Sequence, residues 1–265
     1  MQNRASSEFI FQAFALIIAL ILVHASYVAL IRPKANAILQ HQLEMEAAGQ
    51  PVVAERSFYV VVKDYEQESC FVLMLWVMAI MGYKTQRALK ERKLLDQSLV
   101  SVNEGSRILP EDARQLTRPI QSLPDAQQDY LLPRALMAAL QRFSSTRNIQ
   151  DVASAVSEVL ETESDRLDSE LSMVRYIAWA IPSIGFIGTV RGIGEALGQA
   201  HKAVQGDIAG VTASLGVAFN STFIALVISI LVMFLMHQLQ LIQERLVLDT
   251  HSYCDTRLLR HLKSE

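Results

Sequence analysis

Three hydroxyl side chains lie inside otherwise apolar runs in the second half of the chain: Thr189, Thr222 and Ser229. A hydroxyl can hydrogen-bond to water or lend an oxygen to a small cation, but it does not change charge at neutral pH. If two helices pair antiparallel across the polar break near Gln205, Thr189 and Thr222 both lie about 25 Å from it, at 1.5 Å per residue. Ser229 lies seven residues past Thr222, on nearly the same helix face. These residues could solvate water or an ion along a polar stripe.

Two charged residues, Arg191 and Glu195, follow Thr189 in the same apolar run. Charges inside a membrane segment are costly and suggest a functional role by default. The two residues are four positions apart and can pair, while Arg191 lies about 200° around the helix from Thr189. We expect a structural ion pair between subunits, and an ion-access vestibule stays open as the alternative.

Proline and glycine in this run predict close helix packing. Gly185, Gly188 and Gly192 fall on one side of a helix, at a spacing that lets another helix approach. We expect Pro182 to kink the helix and to free carbonyls that other helices or waters satisfy. Packing also stays open as the role of the three hydroxyls, because Ser and Thr in membranes often bond to the backbone of their own helix.

Apolar runs of spanning or nearly spanning length divide the chain into membrane and polar parts. The parts are an N-terminal transmembrane helix (1–31), a periplasmic loop (32–68), a second transmembrane helix (69–83), a cytoplasmic helical region (84–173), a hairpin of the third and fourth transmembrane helices (174–240) and a C-terminal cytoplasmic helix (241–265). Lysine and arginine crowd the residues after Tyr83, which places that end in the cytoplasm. Asn103, Gly105 and Pro110 are expected to end the helix that follows. The predicted fold class is all-α: a polytopic membrane protein with four transmembrane helices, helical cytoplasmic extensions and both termini inside.

The composition argues against several other classes of protein. Apolar residues make up 51% of 265 residues and the net charge is −3, so the chain lacks the basic footprint of a nucleic-acid-binding protein. Cys70 and Cys254 do not suggest a disulfide or a metal site. The chain has no metal-ligand cluster, nucleophile elbow or phosphate loop, so we expect no catalytic residue, metal or cofactor. His24 has no acidic neighbour in the first run and is expected to hydrogen-bond to another helix, with a proton relay as the alternative.

The stretch from Pro182 to Gly192, PSIGFIGTVRG, resembles the hallmark helix P-x-x-G-(L/F)-(L/I)-G-T-V-x-G of the MotA/TolQ/ExbB family of bacterial ion-channel subunits. The next helix of that family contains A-L-x-x-T-x-x-G-L. The residues that match it here are Ala218, Phe219 in the Leu place, Thr222, Ala225 in the Gly place and Leu226. The span count resembles MotA, whereas the motif residues resemble ExbB and TolQ. Arg191 departs from the family, which often has an aromatic or apolar residue there.

The resemblance implies a subunit of an inner-membrane channel or motor complex driven by H⁺ or Na⁺. It implies a homo-oligomer, commonly a pentamer, in the lipid bilayer around a partner of the ExbD, TolR or MotB kind, whose single spanning helix carries an Asp. Thr189 and Thr222 would line the inner face of the ring, and Ser229 would extend that lining. The alternatives that stay open are a non-conducting oligomeric membrane scaffold that gathers partners and, least favoured, an enzyme.

Overall fold

The computed structural model describes residues 2–48, 57–100, 107–206 and 208–263, and helices are the regular elements of these ranges. The helices are α1 (Gln2–Ser26), α2 (Arg32–Ala47), α3 (Phe58–Val61), α4 (Tyr65–Leu95), α5 (Ala113–Gln121), α6 (Asp125–Gln128), α7 (Leu131–Thr146), α8 (Ile149–Glu170), α9 (Ser172–Gly198), α10 (Ala200–Val204) and α11 (Ala209–Arg257). The stretches that are long and apolar enough to cross a membrane are Glu8–Gln42, Tyr65–Leu95, Ile149–Gly198 and Ala209–His261. The all-α fold with four candidate spans is therefore confirmed.

Some helix boundaries differ from those expected. The segment 32–68, predicted as a loop, contains the 16-residue helix α2, and α4 already begins at Tyr65. Alanine, leucine, glutamine, glutamate and methionine fill α2, and these residues favour a helix beyond the apolar run. A π-helical turn, Tyr27–Ile31, joins α1 to α2. Residues 49–56 of the predicted loop lie outside the described residues, as do Asn103 and Gly105; α4 ends earlier, at Leu95.

The chain forms two compact units: Met1–Met81 with Met173–Met236, and Gly82–Ser172 with His237–Glu265. In the first unit, side chains of α4 bond to backbone carbonyls of two other helices. Trp76 Nε1 donates to the Gln12 carbonyl of α1 at 2.9 Å, and Cys70 Sγ donates to the Ile181 carbonyl of α9 at 3.7 Å. These contacts position α1 and α9 against α4.

The second unit is built around α7 and α8. Its core consists of buried apolar residues at three- and four-residue steps, including Leu132, Leu136, Leu140, Phe143, Val152, Val156 and Leu160. Arg147 ends α7 in a left-handed conformation, with φ of 54°, and the Asn148 Oδ1 caps α8 by accepting from the Gln150 N–H at 2.9 Å. Ile108 donates its N–H to the His261 carbonyl at 2.8 Å, which attaches the end of the chain to this unit.

Glu163 on α8 is a buried carboxylate held by two arginines in the second unit. Its side chain is 3% exposed and lies 2.8 Å from Arg134 Nη1 and 2.6 Å from Arg166 Nη2. Removing its charge leaves the partly exposed Arg134 without this counter-charge, while Arg166 keeps only a carboxylate oxygen of Glu170, at 3.6 Å. We expect Glu163→Gln to lower the free energy of unfolding by about 2 kcal/mol. Glu161→Gln, on the exposed part of the same helix, should change it by less than about 0.5 kcal/mol. Denaturant titration of the chain in detergent measures both, and equal effects would contradict the buried-pair interpretation.

Candidate ion pathway

Helices α9 and α11 pack along a row of small residues. The contacts in the row are Gly185 with Ala225, Gly188 with Ser221, and Gly192 with Ala218. A Cβ added at Gly188 would lie 2.5 Å from the Ser221 Cβ, so no larger residue fits without separating the helices. The helix that packs closely against these glycines is thus α11 of the same chain. Gly194 has no neighbour within 4 Å of an added Cβ, and Pro182 lies inside α9.

The hydroxyls of Thr189 and Thr222 contact each other beside this row, and both side chains are half-buried. Thr189 Oγ1 also lies 3.3 Å from the Gly185 carbonyl oxygen and 3.1 Å from that of Ala218. Thr222 Oγ1 lies 3.1 Å from the Gly185 carbonyl oxygen. Four oxygens therefore converge while the two hydroxyls supply one proton each. Hydroxyl and carbonyl oxygens are groups that can solvate a water molecule or a small cation.

Ser229 is buried between α9 and α11, whereas Thr189 and Thr222 are half-buried. It is 8% exposed, and its Oγ donates to the Ala178 carbonyl of α9 at 3.2 Å. Helical periodicity places Ser229 near the same face of α11 as Thr222, but at Ser229 this face is covered by α9. At this position the hydroxyl satisfies a backbone acceptor between two helices.

Arg191 binds a residue of α4 that the sequence analysis did not identify. Its Nε and Nη2 donate to the two carboxylate oxygens of Glu66 at 2.7 and 2.9 Å, and its Nη1 donates to Glu195 at 2.8 Å. The pair with Glu195 lies within one chain, on one helix. The Glu66 side chain is 12% exposed and that of Glu195 47%, so the two-oxygen contact with Glu66 is the less screened of the two. The sequence does contain a signal for this pair. Arg191 is an arginine inside an apolar run, and acidic residues directly precede the apolar run of α4, so the two could have been expected to pair.

A second carboxylate of α4, Glu68, bonds to the N-terminal helices. His24 Nδ1 lies 2.7 Å from Glu68 Oε1, and Arg32 contacts the other carboxylate oxygen. His24 therefore does bond to another helix. Asp64, directly before α4, is also enclosed, and burial raises the pKa of its carboxyl. Glu66 and Glu68 thus hold α4 to α9 and to the N-terminal helices at one end of the first unit.

The four stretches that are long and apolar enough to cross a membrane fit a multi-pass membrane protein. Residues 127–251, which include α7, α8, α9 and most of α11, match the model of the MotA/TolQ/ExbB proton channel family. The matched part is just under half of the chain, and the match agrees with the resemblance of its hallmark helix and supports a membrane ion-channel subunit. Families of this kind are channels, not enzymes, and work with partner membrane proteins. No curated protein and no solved structure matches the chain.

Proposed function

We propose that the chain is a subunit of an ion-driven complex of the bacterial inner membrane that passes H⁺ or Na⁺ and converts the flow into mechanical work. The observation that carries this proposal is the oxygen cluster at Thr189 and Thr222, within the part of the chain that matches the channel family. These oxygens can solvate a cation, but no group among them titrates at neutral pH. The titrating group then belongs to a partner with a single spanning helix, as an Asp facing the threonines.

Several copies of the chain, a pentamer in the family resemblance, would enclose that partner helix. Large apolar side chains on α9 and α11 support an assembly in lipid: Trp179 is 73% exposed, Phe186 66% and Phe223 60%. Neighbouring copies and lipid would cover these faces. Both termini would lie in the cytoplasm, because lysine and arginine follow the apolar part of α4.

The test is cation flux into proteoliposomes that hold the chain alone, the chain with its single-span partner, or the chain with the partner's membrane Asp replaced by Asn. The partner is sought first in the adjacent gene. We expect flux with the intact partner that is at least about ten-fold above the other two samples, a barrier difference of about 1.4 kcal/mol. Exchanging Na⁺ for H⁺ then identifies the ion. Equal flux in all samples, or none from an assembled complex, would contradict the proposal.

A non-conducting scaffold is the second candidate, and the hydrogen bonds of the hydroxyls favour it. Thr189, Thr222 and Ser229 all lie within bonding distance of backbone carbonyls in the hairpin, and helix packing alone would explain those contacts. A scaffold would gather partners through its oligomer and cytoplasmic helices. It predicts that Thr189→Ala and Thr222→Ala leave the biological activity intact, whereas a channel predicts its loss.

A further inference from the structure

A buried polar contact joins α4 to α11 beside the threonine pair. Ser221 directly precedes Thr222 and so lies about 100° around α11, towards α4. Gln67 of α4 is 0% exposed, and its Nε2 donates to the Val61 carbonyl at 3.1 Å and to Ser221 Oγ at 3.4 Å. Ser221 itself is 1% exposed. A glutamine and a serine are thus enclosed together where three apolar helices meet.

The amide oxygen of Gln67 suggests that a small molecule or ion binds here. Gln67 Oε1 is buried and has no hydrogen-bond partner in the described part of the chain, and the same holds for Asp64 Oδ2. An unsatisfied buried acceptor costs about 1–3 kcal/mol, so such atoms are ordinarily satisfied by water or an ion. Membrane interiors make the cost harder to avoid, because lipid offers no donor.

Polar groups lead from this pair to the exposed end of the first unit. A Cβ added at Gly188 would lie 2.7 Å from Ser221 Oγ and 3.2 Å from Glu66 Cγ, so Ser221 and Glu66 flank the same glycine. Glu66 binds Arg191, whose side chain is 38% exposed. Arg191, Glu66, Ser221 and Gln67 therefore form a series of polar side chains from a partly exposed charge to the residue next to Thr222.

We infer that each subunit contains a water-accessible site at Gln67 and Ser221, reached along Arg191 and Glu66, which supplies the threonine oxygens from inside the subunit. Its ligand is water or a hydrated monovalent cation, with an O–H group or the cation on Gln67 Oε1. The role of the site rests on the proposed function, but its accessibility does not. Access would run between α4, α9 and α11 rather than only along the axis of an oligomer.

The test places single cysteines on α11 in a chain whose own cysteines are replaced by Cys70→Ser and Cys254→Ala. Ser221→Cys probes the site, and Ala225→Cys is the matched control, since Ala225 is also fully buried and packs against Gly185. The probe is Ag⁺, a monovalent cation that binds thiols, applied to the chain in lipid nanodiscs. Thiols that remain free are labelled with a maleimide after denaturation.

We expect Ag⁺ to block Ser221→Cys at least about ten times faster than Ala225→Cys, as for a barrier lower by about 1.4 kcal/mol. Adding Gln67→Leu should slow the reaction at Ser221→Cys. Equal rates at the two cysteines, or a rate that Gln67→Leu leaves unchanged, would overturn the inference. Thr222→Cys separates this inference from the proposed function. Rapid block at Thr222→Cys with slow block at Ser221→Cys would overturn only the site at Gln67 and Ser221. Slow block at Thr222→Cys with rapid block at Ser221→Cys would support that site and contradict the threonine pathway.

Discussion

Glu66→Leu is expected to lower the free energy of unfolding by about 3 kcal/mol, because it leaves Arg191 without its two-oxygen partner in a membrane helix. Arg191 keeps Glu195 at 2.8 Å, but that carboxylate is 47% exposed and its attraction is screened by solvent. The loss should also loosen α4 from α9, since the Glu66 contact crosses between them. Unfolding by a denaturing detergent in mixed micelles measures the free energy.

Two control variants separate this ion pair from a general effect of lost charge. Glu195→Leu removes the exposed partner of Arg191 and should cost less than about 1 kcal/mol. Combining Glu66→Leu with Arg191→Leu should recover at least half of the lost stability, because an apolar pair replaces an uncompensated charge. If Glu66→Leu and Glu195→Leu cost the same, the contact between α4 and α9 is not the source of the stability.

Gly188→Val is expected to cost about 3 kcal/mol by forcing α9 away from α11. Already a Cβ would lie 2.5 Å from the Ser221 Cβ, and valine adds two methyl groups beyond it. Separation of the helices would also break the contact between Thr189 and Thr222, so the variant should lose stability and ion flux together.

The matched control for this variant is Gly194→Val, six residues along α9, where nothing lies within 4 Å of an added Cβ. In detergent, it should change the free energy of unfolding by less than about 0.5 kcal/mol. Melting curves followed by size-exclusion chromatography compare the two variants. Similar melting temperatures for both would show that the close approach at Gly188 does not stabilise the hairpin.

The local features of the fold could be predicted from the sequence because their causes are local. The length of the apolar runs predicted the spans, together with the basic residues after Tyr83 for the short second run. The spacing of Gly185, Gly188 and Gly192 predicted a helix face able to admit a neighbour. The partners of Arg191 could not be predicted in full, since Glu66 lies 125 positions away in the chain. The hydrogen bond between Gln67 and Ser221 could not be predicted for the same reason, since the two residues lie 154 positions apart in the chain.

Ser229 shows a different limit of the sequence pattern. Periodicity correctly relates the face of one helical residue to that of another, here Ser229 to Thr222. It does not say whether that face meets a neighbouring helix or open space. The carbonyl of Ala178 on α9 decides this for Ser229, and that position depends on how the two helices pack along their glycine row. The extent of α2 has a simpler cause: its polar residues end the apolar run and so predict a loop, but most of them favour a helix.

The central claim is that the hydroxyls of Thr189 and Thr222 carry the ion. The most direct measurement is cation flux through the chain reconstituted with its partner, compared with Thr189→Val, Thr222→Val and the control Thr212→Val. Thr212 is exposed on the same helix as Thr222 and donates only to its own backbone, the Ile208 carbonyl, at 3.0 Å. We predict that each of the first two variants assembles normally and loses at least about ten-fold in flux, while Thr212→Val conducts like the wild type. Wild-type flux in the Thr189 and Thr222 variants would contradict the claim and leave the pair a packing contact.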